Sequence, residues 1–82
     1  MQAVGATTLP AMWGTVPVSV SVAYGPDADA RWSWEMEEIW LNIPGYEGEE
    51  IQDGLAEHVI QSIYQQVKDD AEYIVERERR EA

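Results

Sequence analysis

The spacing of the apolar residues changes once along this chain, and the change divides it into a sheet-forming part and a helix-forming part. Between Val16 and Ile43 apolar residues occupy alternate positions, which is typical of strands with one buried face. From Ile51 to Val75 they recur at about every fourth position, which is typical of an amphipathic helix. The sequence therefore predicts an α+β fold, with a small two- or three-stranded antiparallel sheet packed by one long C-terminal amphipathic helix.

Residues 16–43 are predicted to form a β-hairpin whose second strand contains a bulge. In that strand the apolar positions change from even to odd numbers at Glu37-Glu38, and a one-residue slip would turn one of the two sets away from the core. A β-bulge at these glutamates would keep both sets inward. Trp32 and Trp34 are then expected to pack against the helix, whereas Trp40 would point away from the core.

The segments on either side of the hairpin are predicted from their breakers and their periodicity. Residues 1–15 are predicted to be an N-terminal arm because Pro10 interrupts them, with room for a short strand near Ala3–Thr8. The helix is predicted over residues 50–80, a length of about 45 Å. This exceeds the roughly 25–35 Å of such a hairpin, so the helix must overhang, break near Lys68–Asp70 or pack on a second copy.

The charge of the chain is strongly negative and unevenly placed. Sixteen Asp and Glu residues against five Lys and Arg give a formal net charge of −11. Residues 1–67 contain ten of the acids and one base, Arg31, and so carry nine of these net charges. Because such a charge repels itself and costs stability, it indicates a basic partner. A homodimer is also expected, since a single domain of 82 residues without cysteine has a marginal core.

The acids are predicted to cluster where the second strand passes into the helix. Glu49, Asp53 and Glu57 are four residues apart, which would align them on one helix face, while Glu35 and Glu37 would share one strand face. Such a surface can imitate the phosphates of a nucleic acid and occupy a groove rich in Lys and Arg; alternatively, it only keeps the protein soluble. With Trp40 as an apolar anchor, the predicted partner-binding residues are Glu35, Glu37, Glu38, Trp40, Glu47, Glu49, Glu50, Asp53 and Glu57.

Composition argues against several other classes of function. His58 is the only histidine and cysteine is absent, so neither a zinc site nor a thiol nucleophile is expected. Ser62 lies one helical turn after His58, but no third catalytic group accompanies them, and we expect no enzyme activity, metal or cofactor. Direct nucleic-acid binding is disfavoured because acids surround the aromatic residues. No basic leader and no apolar run of roughly 20 residues is present, so we expect a cytoplasmic protein without membrane contact.

The order of these features resembles a group of phage proteins. A Val-rich strand, a Trp/Glu-rich strand ending at Leu41-Asn42-Ile43, a glycine-containing turn and an acidic helix starting near Ile51-Gln52-Asp53-Gly54-Leu55 are similar to the small acidic ββα accessory proteins of tailed phages, anti-CRISPR and other anti-defence proteins among them. The resemblance covers residues 16–67. It implies a non-enzymatic inhibitor in the host cytoplasm that binds a CRISPR–Cas or other nucleic-acid-handling complex. The alternative is a homo-oligomeric structural or assembly protein of a phage or bacterium.

Overall fold

Three antiparallel strands and one long helix make up the computed structural model, which describes residues 2–81. The strands pair in the order β1-β2-β3, and the helix packs across one face of the sheet. The predicted α+β fold is therefore confirmed, with three strands. In chain order the elements are β1 (Gly5–Trp13), β2 (Val16–Pro26), β3 (Trp32–Leu41), a short 3₁₀ turn (Gln52–Gly54) and helix α1 (Glu57–Glu81).

Residues 1–15 are not a free arm, because most of them form strand β1, which is longer than the short strand near Ala3–Thr8 that the prediction allowed. This strand pairs with β2 along its whole length, and its Leu9 and Ala11 are buried. The two-residue turn that follows begins at Gly14, whose φ is +61°, a backbone conformation that glycine adopts without strain and that such tight hairpins require. Most residues of β1 are small, so few large apolar side chains mark its alternation in the sequence.

Pro10 does not interrupt β1 because it lies where the strand needs no donor. The backbone N–H and C=O of Met12 point away from β2 and bond the side-chain amide of Gln66 on α1, with both N···O distances at 2.8 Å. Neighbouring residues of a strand alternate in this direction, so Pro10 also faces the outer edge, where its missing N–H breaks no ladder bond. The side chain of Gln66 thus satisfies the outward backbone groups of Met12, as a neighbouring strand would.

Replacement Gln66→Ala is expected to lower the free energy of unfolding by about 1–2 kcal/mol, because two hydrogen bonds of about 0.5–1.5 kcal/mol each are lost. The neighbouring Gln65 is exposed on the same helix, and its side chain bonds none of the other described residues. Gln65→Ala is therefore the matched control. Urea unfolding followed by circular dichroism measures both variants, and equal stability of the two would contradict the role assigned to Gln66.

The predicted bulge in β3 is confirmed. Consecutive residues of β2 pair with Met36 and Glu38, which leaves Glu37 without a partner. Because of this extra residue, Met36 before the bulge and Ile39 after it both pack in the core. One strand thereby places two out-of-phase apolar sets on the same face.

The core lies between the sheet and the middle of α1. Trp34 stacks on Tyr64 of α1, with ring centroids 4.8 Å apart and 20° between the planes, which confirms that Trp34 packs against the helix. The buried residues of α1 are Ile63, Val67 and Ala71. The buried apolar residues of the sheet that join them are Leu9, Ala11, Val18, Val20, Val22 and Ile39.

Helix α1 begins at Glu57 rather than at residue 50, and it continues without a break through Lys68–Asp70. At 25 residues it is about 37 Å long, close to the longest dimension of the chain, 39 Å. Its core-facing side chains end at Ile74 among the described residues. The last turns therefore extend beyond the sheet, which is one of the three outcomes that the predicted length allowed.

Residues 49–51 lie beside β3 instead of forming the predicted first turn of the helix. The N–H of Leu41 donates to the C=O of Glu49 at 3.0 Å, and the N–H of Ile51 donates to the C=O of Ile39 at 2.8 Å. The outward-facing backbone groups of β3 thus compete with the helix for this segment. Gly54 also disfavours a helical start, by roughly 1 kcal/mol relative to alanine.

Candidate acidic binding surface

Strand β3 carries the centre of the acidic surface on the sheet face that α1 leaves uncovered. Val18, Val20 and Val22 of β2 are buried under α1, and successive residues of a strand face opposite sides. The residues between these valines, and their partners on β3, therefore lie on the uncovered face. These partners are Glu35, Glu38 and Trp40, which pair with Ala23, Ser21 and Ser19.

Trp40 is held on this face by Glu38. Its indole Nε1–H donates to Glu38 Oε2 at 3.1 Å, and its side chain is half-buried. The prediction that Trp40 points away from the core is confirmed. The bond fixes both side chains, so a partner that contacts them finds an aromatic ring and a carboxylate already in place, and less conformational entropy is lost on binding.

Glu37 is the unpaired residue of the bulge, so the alternation that was predicted to place Glu35 and Glu37 on one strand face is interrupted between them. The bulge at Glu37 shifts the outward positions from odd to even numbers, and Glu38 therefore takes the place next to Glu35 on the uncovered face. Glu37 remains exposed at the bulge.

Glu49, Asp53 and Glu57 do not align on a helix face, because they belong to three different local structures. Glu49 lies in the segment beside β3, Asp53 lies in the 3₁₀ turn and Glu57 is the first residue of α1. The carboxylate of Glu57 accepts a hydrogen bond from Gln61 Nε2 at 3.2 Å, along the helix. The four-residue spacing of these acids therefore does not create one surface.

Glu50 joins the uncovered face through an isolated bridge to Trp40. Directly opposed residues of a sheet have side chains on the same side, so Glu50 lies next to Trp40. Its carboxylate also accepts the N–H of Gln52, and that of Glu47 accepts the N–H of Gly45 at 2.8 Å, so both acids organise the connection to α1. The residues that the structure brings together, called the acidic patch below, are Glu35, Glu38, Trp40 and Glu50.

The eight predicted acids have no cationic partner within the described chain. All eight are exposed, and none forms an ion pair with any of residues 2–81. Glu76, near the end of α1, behaves differently: Arg79 donates hydrogen bonds of 2.8 and 2.9 Å to its carboxylate, and these bonds lower the pKa of Glu76. Among the described residues, ion pairs therefore involve only Glu76 and Glu78 near the end of α1, and none involves the acidic patch.

The other candidate groups of the sequence do not converge. His58 and Ser62 are both exposed on α1, and residues 2–81 contain no cluster of three or more His, Asp and Glu side chains fit to hold a metal ion. A surface depression lies at the β2–β3 loop and is lined by Gln2, Pro26, Asp27 and Ala28. None of the helices in the described part of the chain combines the length and the hydrophobicity that a membrane crossing requires.

Comparison with known proteins adds no assignment. No protein-family model matches the chain, and no curated protein or solved structure matches it significantly. The functional assignment therefore depends on the geometry and charge of the chain itself.

The sequence analysis did not include the β2 residues that lie beside the acidic patch. Ser19, Ser21 and Ala23 separate Glu35, Glu38 and Trp40 from β1 and leave that face flat. The signal that identifies them is the alternation of β2 itself, in which small residues stand between the buried valines. Their assignment to the site needs the pairing with β3, which requires the register of the bulge.

Proposed function

We propose that this chain is a non-enzymatic binding protein that places its acidic surface on a basic, nucleic-acid-binding site of a partner protein. The observation that carries the proposal is the set of eight exposed acids without an ion pair in residues 2–81. The acidic patch would form the centre of the contact. Glu37, Glu47, Glu49, Asp53 and Glu57 lie outside the patch and would add to the negative potential of the chain.

The energetics of uncompensated charge favour this function over simple solubility. Like charges close together oppose folding, and a partner rich in Lys and Arg removes that repulsion on binding. Complementary charge also raises association rates well above the neutral range of about 10⁵–10⁶ M⁻¹s⁻¹. Trp40 supplies a fixed aromatic ring among the acids, the type of residue that is enriched in binding hot spots.

The partner is a protein rather than a nucleic acid, since phosphates would be repelled by the same carboxylates. The resemblance in layout to phage anti-defence proteins implies nucleic-acid-handling complexes of the host, CRISPR–Cas complexes among them, as the partner class. The cytoplasm, where such complexes work, is the proposed location.

A homo-oligomeric structural or assembly protein is the second candidate. Met12 and Trp13, at the tip of the β1–β2 hairpin, are 43% and 39% exposed, and large apolar side chains at a surface favour contact with another chain. Sedimentation velocity at low and high salt tests it. A multimer whose size does not change with salt would support assembly, whereas a monomer at both concentrations would exclude it.

Capture from a host lysate tests the proposed function directly. The chain is immobilised at low salt and then washed at about 1 M NaCl, where the Debye length falls to about 3 Å. The test variant combines Glu35→Gln, Glu38→Gln and Glu50→Gln, since glutamine keeps an acceptor oxygen for the bonds of Glu38 and Glu50. The matched control, with the same change in charge, combines Asp69→Asn, Asp70→Asn and Glu72→Gln on α1.

We expect the wild-type chain and the α1 control to capture the same protein and to release it in the salt wash, while the patch variant captures at least about tenfold less. The captured protein should also be displaced by duplex DNA, since both ligands would use one basic site. Equal capture by all three chains, or retention that salt does not alter, would contradict the proposal.

A further inference from the structure

The two outer strands of the sheet differ in how their free edges are protected. An edge strand directs the N–H and C=O of alternate residues outward, where another strand can pair with them. On β1 this edge is obstructed, because Pro10 lacks an N–H and the outward groups of Met12 bond Gln66. β1 is therefore a poor template for an added strand beyond its first few residues.

The edge of β3 is filled at its C-terminal end only. Ile39 and Leu41 direct their backbone groups outward, and the chain itself meets them through residues 49–51. Before the bulge, the outward positions are those opposite the even-numbered residues of β2, which direct their own backbone groups toward β1. These positions are Trp32, Trp34 and Met36.

The outward backbone groups of Trp32, Trp34 and Met36 form no backbone hydrogen bond with another segment among residues 2–81. They form an open edge five residues long, with Glu35 on the uncovered face of the sheet and Glu37 and Glu38 immediately after it. An extended segment that paired here would continue the row begun by residues 49–51. The bulge marks the point between the filled part and the open part of the edge.

We propose that residues 32–36 of β3 bind an extended basic segment of the partner as an added antiparallel strand. This inference rests on the proposed function and specifies how the partner is held: the added backbone pairs with Trp34 and its neighbours, and Lys or Arg at alternate positions lie beside Glu35 and Glu38. Recognition by strand addition takes its affinity from backbone bonds and its specificity from alternate side chains.

Charge decides between a basic segment and a second copy of this chain. Pairing of β3 with β3 of a second copy would add a second set of Glu35, Glu37 and Glu38 to the same edge, and like charges that come opposite each other destabilise a sheet. A basic strand would instead place positive charges beside these glutamates, so the interactions would be attractive. Its intervening residues would lie on the same face as Trp34 and Met36, so they should be apolar.

The recognised pattern is therefore an alternation of basic and apolar residues, and a capped seven-residue peptide of alternating Lys and Val serves as the probe. In an antiparallel addition the residue opposite Trp34 shares its face and exchanges hydrogen bonds with it, so the valine N–H groups face β3 and the lysine N–H groups face solvent. Two further peptides carry N-methyl groups, one on the valine backbone nitrogens and the other on the lysine backbone nitrogens. Each blocks one edge of the peptide without changing its charge.

Isothermal titration at low salt with the three peptides tests the inference on the full chain. We expect methylation at valine to weaken binding at least about tenfold and methylation at lysine to change it less than about threefold. Amide exchange at Trp34 and Met36 should slow when the unmethylated peptide binds. Glu35→Lys should weaken binding, whereas its control Glu72→Lys, on the exposed surface of α1, should not.

The possible failures are distinguishable. Equal affinity for all three peptides would overturn strand addition and leave the acidic surface as a purely electrostatic site. A greater loss on methylation at lysine would overturn the antiparallel pairing. Absence of binding by every basic peptide at low salt would overturn this inference and would also contradict the proposed function.

Discussion

Deletion of Glu37 is expected to remove much of the stability of the fold. Without the bulge residue, β3 keeps one alternation throughout, so either its Trp34–Met36 portion or its Ile39–Leu41 portion must leave the core. Loss of Ile39 and Leu41 alone removes about 1.5–3 kcal/mol for each side chain that becomes exposed. A chain of this size has a total stability of roughly 4–12 kcal/mol, and the deletion would remove much of it.

The matched control for the deletion is Glu37→Ala. This substitution keeps the residue count of β3, and Glu37 is exposed and unpaired in the sheet, so stability should stay within about 0.5 kcal/mol of the wild type. Urea unfolding monitored by far-ultraviolet circular dichroism compares the three chains. A deletion variant as stable as the substitution variant would show that the bulge does not set the register of β3.

Reversal of charge at the acidic patch is expected to have the largest effect on binding. The double variant Glu35→Lys and Glu38→Lys replaces two attractive contacts by two repulsive ones. Each reversal is worth about 1–2 kcal/mol at the surface, so affinity for the basic partner should fall by about 100-fold. Surface plasmon resonance with the protein captured from lysate measures the change.

The control Asp70→Lys and Glu72→Lys makes the same change in net charge on α1, away from the sheet, and should reduce affinity less than about fivefold. Both double variants reduce the excess of negative charge, so both should unfold at or above the wild-type temperature. In the patch variant this gain is partly offset, because Glu38→Lys removes the hydrogen bond from the Trp40 indole. An equal loss of affinity in both variants would mean that total charge, and not the acidic patch, determines binding.

Local sequence patterns were sufficient to predict the parts of the fold that depend on hydrophobic periodicity. The slip at Glu37-Glu38 predicted the bulge because only an extra residue reconciles the two alternations of β3. The four-residue stripe predicted α1 and the burial of Ile63 and Val67. In each case the buried face leaves a direct record in the spacing of large apolar residues.

The errors lie where tertiary contacts override local preference. β1 looked like an arm because its Pro10 is unfavourable inside a strand, and only its place at an edge makes that residue acceptable. The segment around Glu49 and Glu50 looked like a helix start because its acids suit a helix N-terminus. The outward backbone groups of β3 bind this segment instead.

The same tertiary contacts limited how much of the candidate site could be predicted from the sequence. The exposure of the acids and the outward position of Trp40 followed from composition and alternation. The grouping of Glu35 with Glu38 required the bulge to be carried through to the side-chain positions, and the place of Glu50 beside Trp40 required a bridge between segments that no local pattern records. Glu49, Asp53 and Glu57 were grouped by a helical spacing that the chain does not adopt there.

The dependence of partner binding on salt tests most directly whether uncompensated carboxylates around Trp40 hold a basic protein site. The association rate and the affinity of the captured partner are measured for the wild-type chain from low salt to about 1 M NaCl. We expect both to fall steeply, the association rate by at least about tenfold, as the Debye length shortens to about 3 Å. An affinity that stayed constant over this range would contradict the account.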